Sequence, residues 1–158
     1  QAVSQDIALT SAAIQADWEQ TYANQMREAD GRYSDATPLD PMDPSSFSPT
    51  MQELADMGVN YIAPPVWMLV TLEDGKMVPS PYAKEAKAVG LKLITWTLER
   101  SGPLTTGGGW YFQTVQPAVS NASSYYEILD VLAQDVEIEG IFSDWPATVT
   151  YYANCMGL

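Results

Sequence analysis

Gly90-Leu-Lys-Leu-Ile-Thr-Trp-Thr97 and Gly140-Ile-Phe-Ser-Asp-Trp-Pro146 are the two segments that decide the fold. In each, the glycine is expected to close a preceding helix, and a short apolar strand follows it. Polar and aromatic residues then stand at the carboxyl end of the strand, which is the edge where α/β barrels carry their active sites. Both segments therefore predict parallel strands that lead into a functional face.

Helix and strand alternate along the rest of the chain. Ser48-Pro49 and Ser80-Pro81 each introduce a predicted helix, with the serine at the N-cap and the proline at the first helical position, and Gly58 and Gly90 follow these helices. A third helix is predicted over 125–133, with a cap at Ser123 or Ser124. The predicted strands cover 6–10, 59–63, 91–95 and 140–143. This alternation indicates a parallel sheet with helices on its outer side.

Composition limits the possible folds and partners. The chain has 158 residues, of which 46% are apolar, so it can build one core. It is short of the roughly 250 residues of a complete eight-stranded α/β barrel. The net charge of −13 would repel nucleic acid and anionic lipid, although acidic surfaces are also common on soluble proteins in general. No apolar stretch approaches the ~20 residues of a membrane span, and the start at Gln1 without a visible signal peptide predicts a mature or fragmentary chain.

Two long connections follow predicted strands. Residues 16–47 are predicted to be an ordered insertion over the barrel mouth, anchored by Trp18, Tyr22 and Tyr33. Residues 102–120 contain three consecutive glycines but lack the lysine and hydroxyl residue of a phosphate-binding loop. We therefore expect residues 102–120 to be a second such insertion on the functional face, in which Gly107-Gly-Gly109 is a flexible loop rather than a nucleotide site.

The order of these motifs resembles the secreted and periplasmic branch of the glycerophosphodiester phosphodiesterases. The resemblance begins near Asp17-Trp18 and covers most of the chain. It runs through Gly58-Val-Asn-Tyr-Ile-Ala-Pro64, the helix at 82–91 and Thr95-Trp-Thr97, and it ends at Gly140-Ile-Phe-Ser-Asp-Trp-Pro146. Ser143 stands where the family usually has threonine, which keeps the hydroxyl group.

The resemblance implies a fold and an activity. The fold would be α/β, with residues 1–158 forming one partial domain: the C-terminal half, about four βα units, of a TIM-type (βα)8 barrel. Its partner would be the N-terminal half of the same barrel. The complete, secreted (extracellular or periplasmic) enzyme would hydrolyse glycerophosphodiesters to glycerol 3-phosphate and an alcohol, using a calcium or magnesium ion and two histidines. This chain has no histidine, so the catalytic residues and the metal ligands are all assigned to the missing half.

The competing interpretation is a non-catalytic extracellular barrel that serves as a binding or structural assembly module. A fold does not determine function, and the residues that would discriminate between the two interpretations lie outside this chain. With no histidine and a single cysteine, the chain cannot form a zinc site or a Ser/His/Asp or Cys/His nucleophile arrangement by itself.

Trp96 is the one active-site position that the resemblance places on this chain, as a wall of the substrate pocket against the glycerol moiety. Its indole would supply an apolar face and one N–H donor; the alternative is a tryptophan packed in the core. Asp144 is predicted as the N-cap of a short helix that has Pro146 in its first turn, rather than as a metal ligand or base. Tyr61 and Trp67, on or after the second strand, are predicted to have packing roles, with a pocket position as the alternative.

Two further positions bear on secretion. Asn121-Ala-Ser123 is an N-glycosylation sequon in a polar loop. Cys155 is the single cysteine, and it is predicted either as a buried free thiol or as a disulfide candidate whose partner lies in the missing half. Glu73-Asp74 precedes Gly75 and is predicted as a solvated turn.

Overall fold

The computed structural model describes residues 39–99 and 102–158, and Leu39–Leu158 form one compact unit. The predicted strand at 6–10, the anchors Trp18, Tyr22 and Tyr33, and residues 16–38 of the first insertion lie outside the described residues. The other three predicted strands and the second long connection fall within them.

The described residues form short helices and strands in alternation. The α-helices are α1 Met51–Asp56, α2 Val66–Leu69, α3 Pro81–Ala88, α4 Ser123–Asp130 and α5 Pro146–Met156. The strands are β1 Tyr61–Ile62, β2 Val70–Glu73, β3 Lys76–Pro79, β4 Lys92–Thr95 and β5 Gly140–Ile141. Short 3-10 turns occupy Pro44–Ser46, Leu104–Thr106, Trp110–Phe112 and Gln116–Ala118, and a π turn, Val131–Asp135, continues α4.

A parallel sheet has the strand order β1-β4-β5. Tyr61 pairs with Lys92, and Thr95 pairs with Ile141, in parallel register. The mixed α/β class is therefore confirmed, as are the parallel pairing and sequence order of the three predicted strands within the described residues. The closure of such a sheet into half of a TIM-type barrel stays a prediction.

A β-hairpin lies between the first two parallel strands and was not predicted. Strands β2 and β3 pair antiparallel from Val70↔Pro79 to Glu73↔Lys76. Asp74 (φ 51°) and Gly75 (φ 77°) form the two-residue connection, and two positive φ values are what a type I′ hairpin turn requires. The predicted turn is thus confirmed, but the Asp-Gly pair between two short apolar segments was the sequence signal for the whole hairpin.

One of the three predicted helix starts is confirmed. Ser80 is the N-cap of α3, where its hydroxyl accepts a hydrogen bond from the Ala83 N–H at 3.1 Å, and Pro81 is the first helical residue. Ser80 is also fully buried, and its hydroxyl donates to the Met68 carbonyl at 2.5 Å. The cap therefore ties α3 to the end of α2.

The other two predicted starts are wrong. Helix α1 is capped by Thr50, which forms a reciprocal capping box with Glu53, so Ser48 and Pro49 precede the helix. Helix α4 begins at Ser123 with no side-chain cap from its N-cap residue, and the Ser124 hydroxyl accepts from the Ser120 N–H instead.

Of the two glycines that open the deciding segments, one closes a helix as predicted and the other does not. Gly90 follows α3 with φ +80°, as predicted. Gly140 is part of strand β5, and the positive φ after the third helix belongs to Glu137 at 60°. The prediction was wrong for Gly140 because the helical segment ends at Asp135 and the chain already turns at Glu137, before it reaches Gly140.

The core lies between the parallel sheet, the hairpin and the helices. Its largest fully buried side chains are Leu69, Leu93, Leu98, Phe112, Ile128 and Leu132. No helix of the described residues is both long and apolar enough to cross a bilayer.

Candidate functional site

The carboxyl ends of the three parallel strands meet at one edge of the sheet. The segments that leave β1 and β4 are joined by a hydrogen bond from the Thr95 hydroxyl to the Pro64 carbonyl, at 2.8 Å. The segments that leave β4 and β5 are joined by the Thr97 hydroxyl, which donates to the Phe142 carbonyl at 3.0 Å. These contacts fix the backbone from which the side chains of the edge project.

Four aromatic side chains gather at this edge, and we call them the aromatic cluster: Trp67, Trp96, Trp110 and Tyr111. Trp110 stands at the centre, with ring centroids 5.7 Å from Trp67, 6.2 Å from Trp96 and 4.9 Å from Tyr111. Tyr111 also contacts Trp96 at 5.7 Å. Most of these pairs meet edge to face, which is a favoured geometry for aromatic rings. Trp110 nevertheless leaves 45% of its surface in solvent.

Trp96 lies at the end of β4 and is half-buried within the cluster. Its indole N–H donates to the Ala63 carbonyl at 2.7 Å, so the predicted N–H donor is already engaged by the protein. Its backbone carbonyl accepts from the Val66 N–H at 2.9 Å. What Trp96 can present to a ligand is its ring surface, and a role as the wall of a substrate pocket stays a prediction.

Trp67 and Tyr61 have different positions: Trp67 packs against another ring, as predicted, whereas Tyr61 is largely exposed. Trp67 belongs to the aromatic cluster, and its indole nitrogen is buried without a hydrogen-bond partner. Tyr61 lies at the opposite edge of the sheet, where it is 49% exposed and Lys92 stands over its ring at 5.3 Å. Of the two, only Trp67 shares the edge with Trp96.

Glu99 forms a polar clamp that sequence reasoning did not find. One carboxylate oxygen accepts from the Ser143 hydroxyl at 2.6 Å, and the other accepts from the Asp144 N–H at 3.0 Å. The Ser143 hydroxyl in turn accepts from the Trp145 N–H at 3.2 Å. Since Glu99 follows β4 and Ser143 follows β5, the clamp joins the carboxyl ends of two neighbouring strands. Burial raises the pKa of the nearby Tyr125 phenol, and the negative charge of Glu99 raises that pKa further.

Replacing Glu99 by alanine is expected to loosen this edge. Hydrogen bonds to a charged acceptor contribute about 1.5–3 kcal/mol each when well formed, and partial exposure places Glu99 at the lower end of that range. We expect Glu99→Ala to lower the free energy of unfolding by about 1–3 kcal/mol in urea denaturation, while Glu73→Ala, an exposed hairpin position, changes it by under about 0.5 kcal/mol. Equal stability of the two variants would contradict the clamp.

Asp144 does not cap a helix, so that prediction was wrong. Helix α5 begins at Pro146, as predicted for this proline, but its N-cap residue is Trp145 and no side chain caps the helix there. The helix is also long rather than short, since it extends to Met156. Asp144 is exposed, and its backbone N–H is the group that Glu99 binds.

The second connection is well packed, as an ordered insertion would be, and the flexibility of its three glycines stays a prediction. Phe112 and Val115 are fully buried, and the Thr114 hydroxyl contacts the carbonyls of Trp67 and Val70 at 3.0 and 2.7 Å. Gly107, Gly108 and Gly109 all have positive φ, between 73° and 91°. The three glycines shape a tight turn that places Trp110 and Tyr111 beside Trp96.

Asn121 and Cys155 are both on the surface. Asn121 is exposed, and its side-chain oxygen accepts hydrogen bonds from the N–H and the hydroxyl of Ser123 at 2.9 and 2.7 Å. The exposure is compatible with glycosylation, which stays a prediction. Cys155 is an exposed free thiol near the end of α5, which makes the prediction of a buried thiol wrong. A disulfide with a partner beyond this chain stays a prediction.

The divalent metal that the resemblance implies finds no set of ligands in the described residues. Calcium and magnesium bind through several oxygen ligands. Among residues 39–99 and 102–158, no three acidic, cysteine or histidine side chains converge into such a group. Glu99 and Asp144 lie at the edge where the carboxyl ends of the parallel strands meet. The carboxylate of Glu99 already accepts hydrogen bonds from the Ser143 hydroxyl and the Asp144 N–H.

Comparison with known proteins gives one relevant relative. No protein-family model matches the chain. A curated protein of Arthroderma benhamiae, named "Extracellular protein", is 41% identical to it in an alignment 145 residues long that covers 89% of this chain and 58% of that protein. The chain therefore spans less than two thirds of the length of the curated relative that it matches. The relative's name states a location and no activity.

Proposed function

We propose that this chain is the C-terminal part of a secreted, metal-dependent phosphodiesterase that hydrolyses glycerophosphodiesters to glycerol 3-phosphate and an alcohol. The observation that carries the proposal is the aromatic cluster around Trp96 at the carboxyl end of parallel strands that pair in sequence order. In α/β barrels this edge holds the active site. The motif resemblance supplies the reaction class, and the location of the relative supports secretion.

In this proposal the chain supplies binding surface rather than acid, base or metal ligands. The ring of Trp96 forms an apolar wall for the glycerol carbons, and the Glu99 clamp holds the segments after β4 and β5 at a fixed distance. Water adds to phosphorus, and the bond from phosphorus to the alcohol oxygen breaks. The histidines that move the protons and the ligands of a calcium or magnesium ion belong to the N-terminal half of the barrel.

The secreted location has two supporting features on the chain itself. Asn121 is exposed just before α4, so its side chain is accessible to a glycan. Cys155 is an exposed free thiol, so it is accessible to a partner cysteine. We propose that Asn121 is glycosylated and that Cys155 pairs with a cysteine of the N-terminal half.

The second candidate is a non-catalytic extracellular barrel. It is favoured by large exposed aromatic side chains on and near α5: Phe142, Trp145 and Tyr151, each 63% exposed. Exposed aromatic patches are typical of surfaces that bind a partner.

Enzyme assays on two forms of the protein separate these candidates. The full-length protein should release glycerol 3-phosphate from glycerophosphocholine or glycerophosphoglycerol in the presence of calcium or magnesium, and a chelator should abolish the release. The 158-residue chain alone should be inactive with or without metal, because it has no histidine. Full-length protein that is folded but inactive toward all glycerophosphodiesters would favour the binding module, and turnover by the isolated chain would contradict the half-barrel assignment.

A further inference from the structure

Trp110 is the most exposed ring of the aromatic cluster, although it contacts all three of the others. Its neighbours hold it at the edge of the sheet with 45% of its surface in solvent. The turn that carries it is anchored by the fully buried Phe112. An exposed tryptophan on such a well-anchored segment is positioned to bind a ligand rather than to fill the core.

The cluster offers ring surface and few hydrogen-bonding groups. The indole N–H of Trp96 is bound to the Ala63 carbonyl, and the indole nitrogen of Trp67 is buried. These two tryptophans therefore present ring surface rather than hydrogen-bonding groups. A quaternary ammonium group carries a positive charge and no N–H, so it is bound well by aromatic faces alone.

The charges nearby favour a cation. Glu99 lies three residues after Trp96 in the chain, and its negative charge contributes to the raised pKa of Tyr125. The ring centroid of Tyr125 is 6.0 Å from that of Phe112, which anchors the turn that carries Trp110. The basic side chains of the described residues are lysines on other parts of the unit: Lys76 in the hairpin, Lys84 and Lys87 on α3, and Lys92 at the start of β4. The chain as a whole carries a net charge of −13. Among the described residues, the charges at this edge therefore favour a positive head group over a negative one.

We infer that the exposed face of Trp110, which the other rings of the aromatic cluster hold in place, is a subsite for a quaternary ammonium head group. This inference rests on the proposed function, in which the head group is the alcohol part of the glycerophosphodiester. Trp110 binds that part through its methylated cation, while the glycerol at the other end of the substrate lies against Trp96, whose ring centroid is 6.2 Å from that of Trp110.

Binding of tetramethylammonium to the full-length protein tests the subsite without any catalytic step. Tetramethylammonium chloride is titrated at constant ionic strength against sodium chloride, and tryptophan fluorescence reports binding. We expect saturable binding, with the neutral isostere 3,3-dimethylbutan-1-ol binding at least about tenfold more weakly, because it lacks the charge on which a cation–π contact depends.

Variants of Trp110 separate a cation–π site from an apolar patch. Trp110→Leu keeps an apolar side chain and should weaken binding by about tenfold or more, whereas Trp110→Phe keeps a ring and should stay within about threefold of the parent. Trp145→Leu, a change at an exposed tryptophan after β5, is the matched control and should bind like the parent. Equal binding of the cation and the isostere, an unchanged affinity in Trp110→Leu, or no saturable binding would overturn the inference.

Hydrolysis measured beside binding shows which of the two proposals fails. Tetramethylammonium binding without turnover of any glycerophosphodiester would support the subsite and overturn the proposed hydrolysis. Equal turnover of glycerophosphocholine and glycerophosphoglycerol without tetramethylammonium binding would support the hydrolysis and overturn the subsite.

Discussion

Replacing Gly108 by alanine is expected to destabilise the protein severely. A Cβ atom at this position would lie 2.2 Å from Cδ2 of Phe112, whose ring is fully buried. The φ of +73° adds a backbone cost of about 1–2 kcal/mol for any residue with a Cβ. Overpacking a core ring costs about 1–3 kcal/mol more. We expect a loss of about 2–5 kcal/mol in urea denaturation, out of a total of about 5–15 kcal/mol for a typical domain.

Gly90→Ala is the matched control for this change. Gly90 has a similar φ of +80°, but a Cβ there would have no atom within 4 Å. Only the backbone cost of about 1–2 kcal/mol should appear in this variant. Equal losses of unfolding free energy in Gly108→Ala and Gly90→Ala would contradict the close packing of the glycine turn on Phe112. They would also contradict the rigid placement of Trp110, which depends on that packing.

The parallel strands were predictable because local and long-range signals agree in them. Leu91 and Leu93 are apolar and buried on one side of β4, and Gly90 ends the preceding helix with the positive φ that glycine allows. Position and direction of these strands follow from such patterns. The π turn after α4 carries no comparable signal, so Gly140 was wrongly predicted to close that helix.

The helix caps show where competition between hydroxyl residues limits prediction. Ser48-Pro49 and Thr50 both offer a plausible start for α1, and the reciprocal hydrogen bonds of Thr50 with Glu53 decide between them. Ser80 was predictable because the proline after it is the first helical residue and no rival cap follows. The same sequence signature therefore gave one correct start and one wrong start.

The functional edge was only partly predictable. Trp96 could be assigned from its motif, but its neighbours Trp110 and Trp67 come from distant segments that only the fold brings together. Glu99 was missed because its partner Ser143 lies 44 residues further along the chain. A carboxylate that joins two strand ends has no local pattern, so it can be found only from the three-dimensional structure.

Trp96→Ala in the full-length protein is expected to reduce kcat/KM for glycerophosphodiesters by about tenfold to a hundredfold, equivalent to about 1.4–2.7 kcal/mol of transition-state binding. The ring is half-buried and contacts Trp110 and Tyr111, so its removal takes away a wall of the proposed pocket. Stability must be measured beside activity. A fully buried aromatic truncation costs about 3–5 kcal/mol, and the partial exposure of Trp96 predicts a smaller loss.

Trp96→Phe distinguishes the ring from its hydrogen bond. Phenylalanine keeps an aromatic wall but cannot donate to the Ala63 carbonyl, a contact with a net value of about 0.5–1.5 kcal/mol. If Trp96 is a pocket wall, Trp96→Phe should lose that stability yet keep most of the kcat/KM that Trp96→Ala loses. If Trp96 is only a packing residue, both variants should unfold at lower urea concentration while the folded fraction keeps the parent kinetics. Parent-like kcat/KM in folded Trp96→Ala protein would remove the residue on which the proposed site is centred.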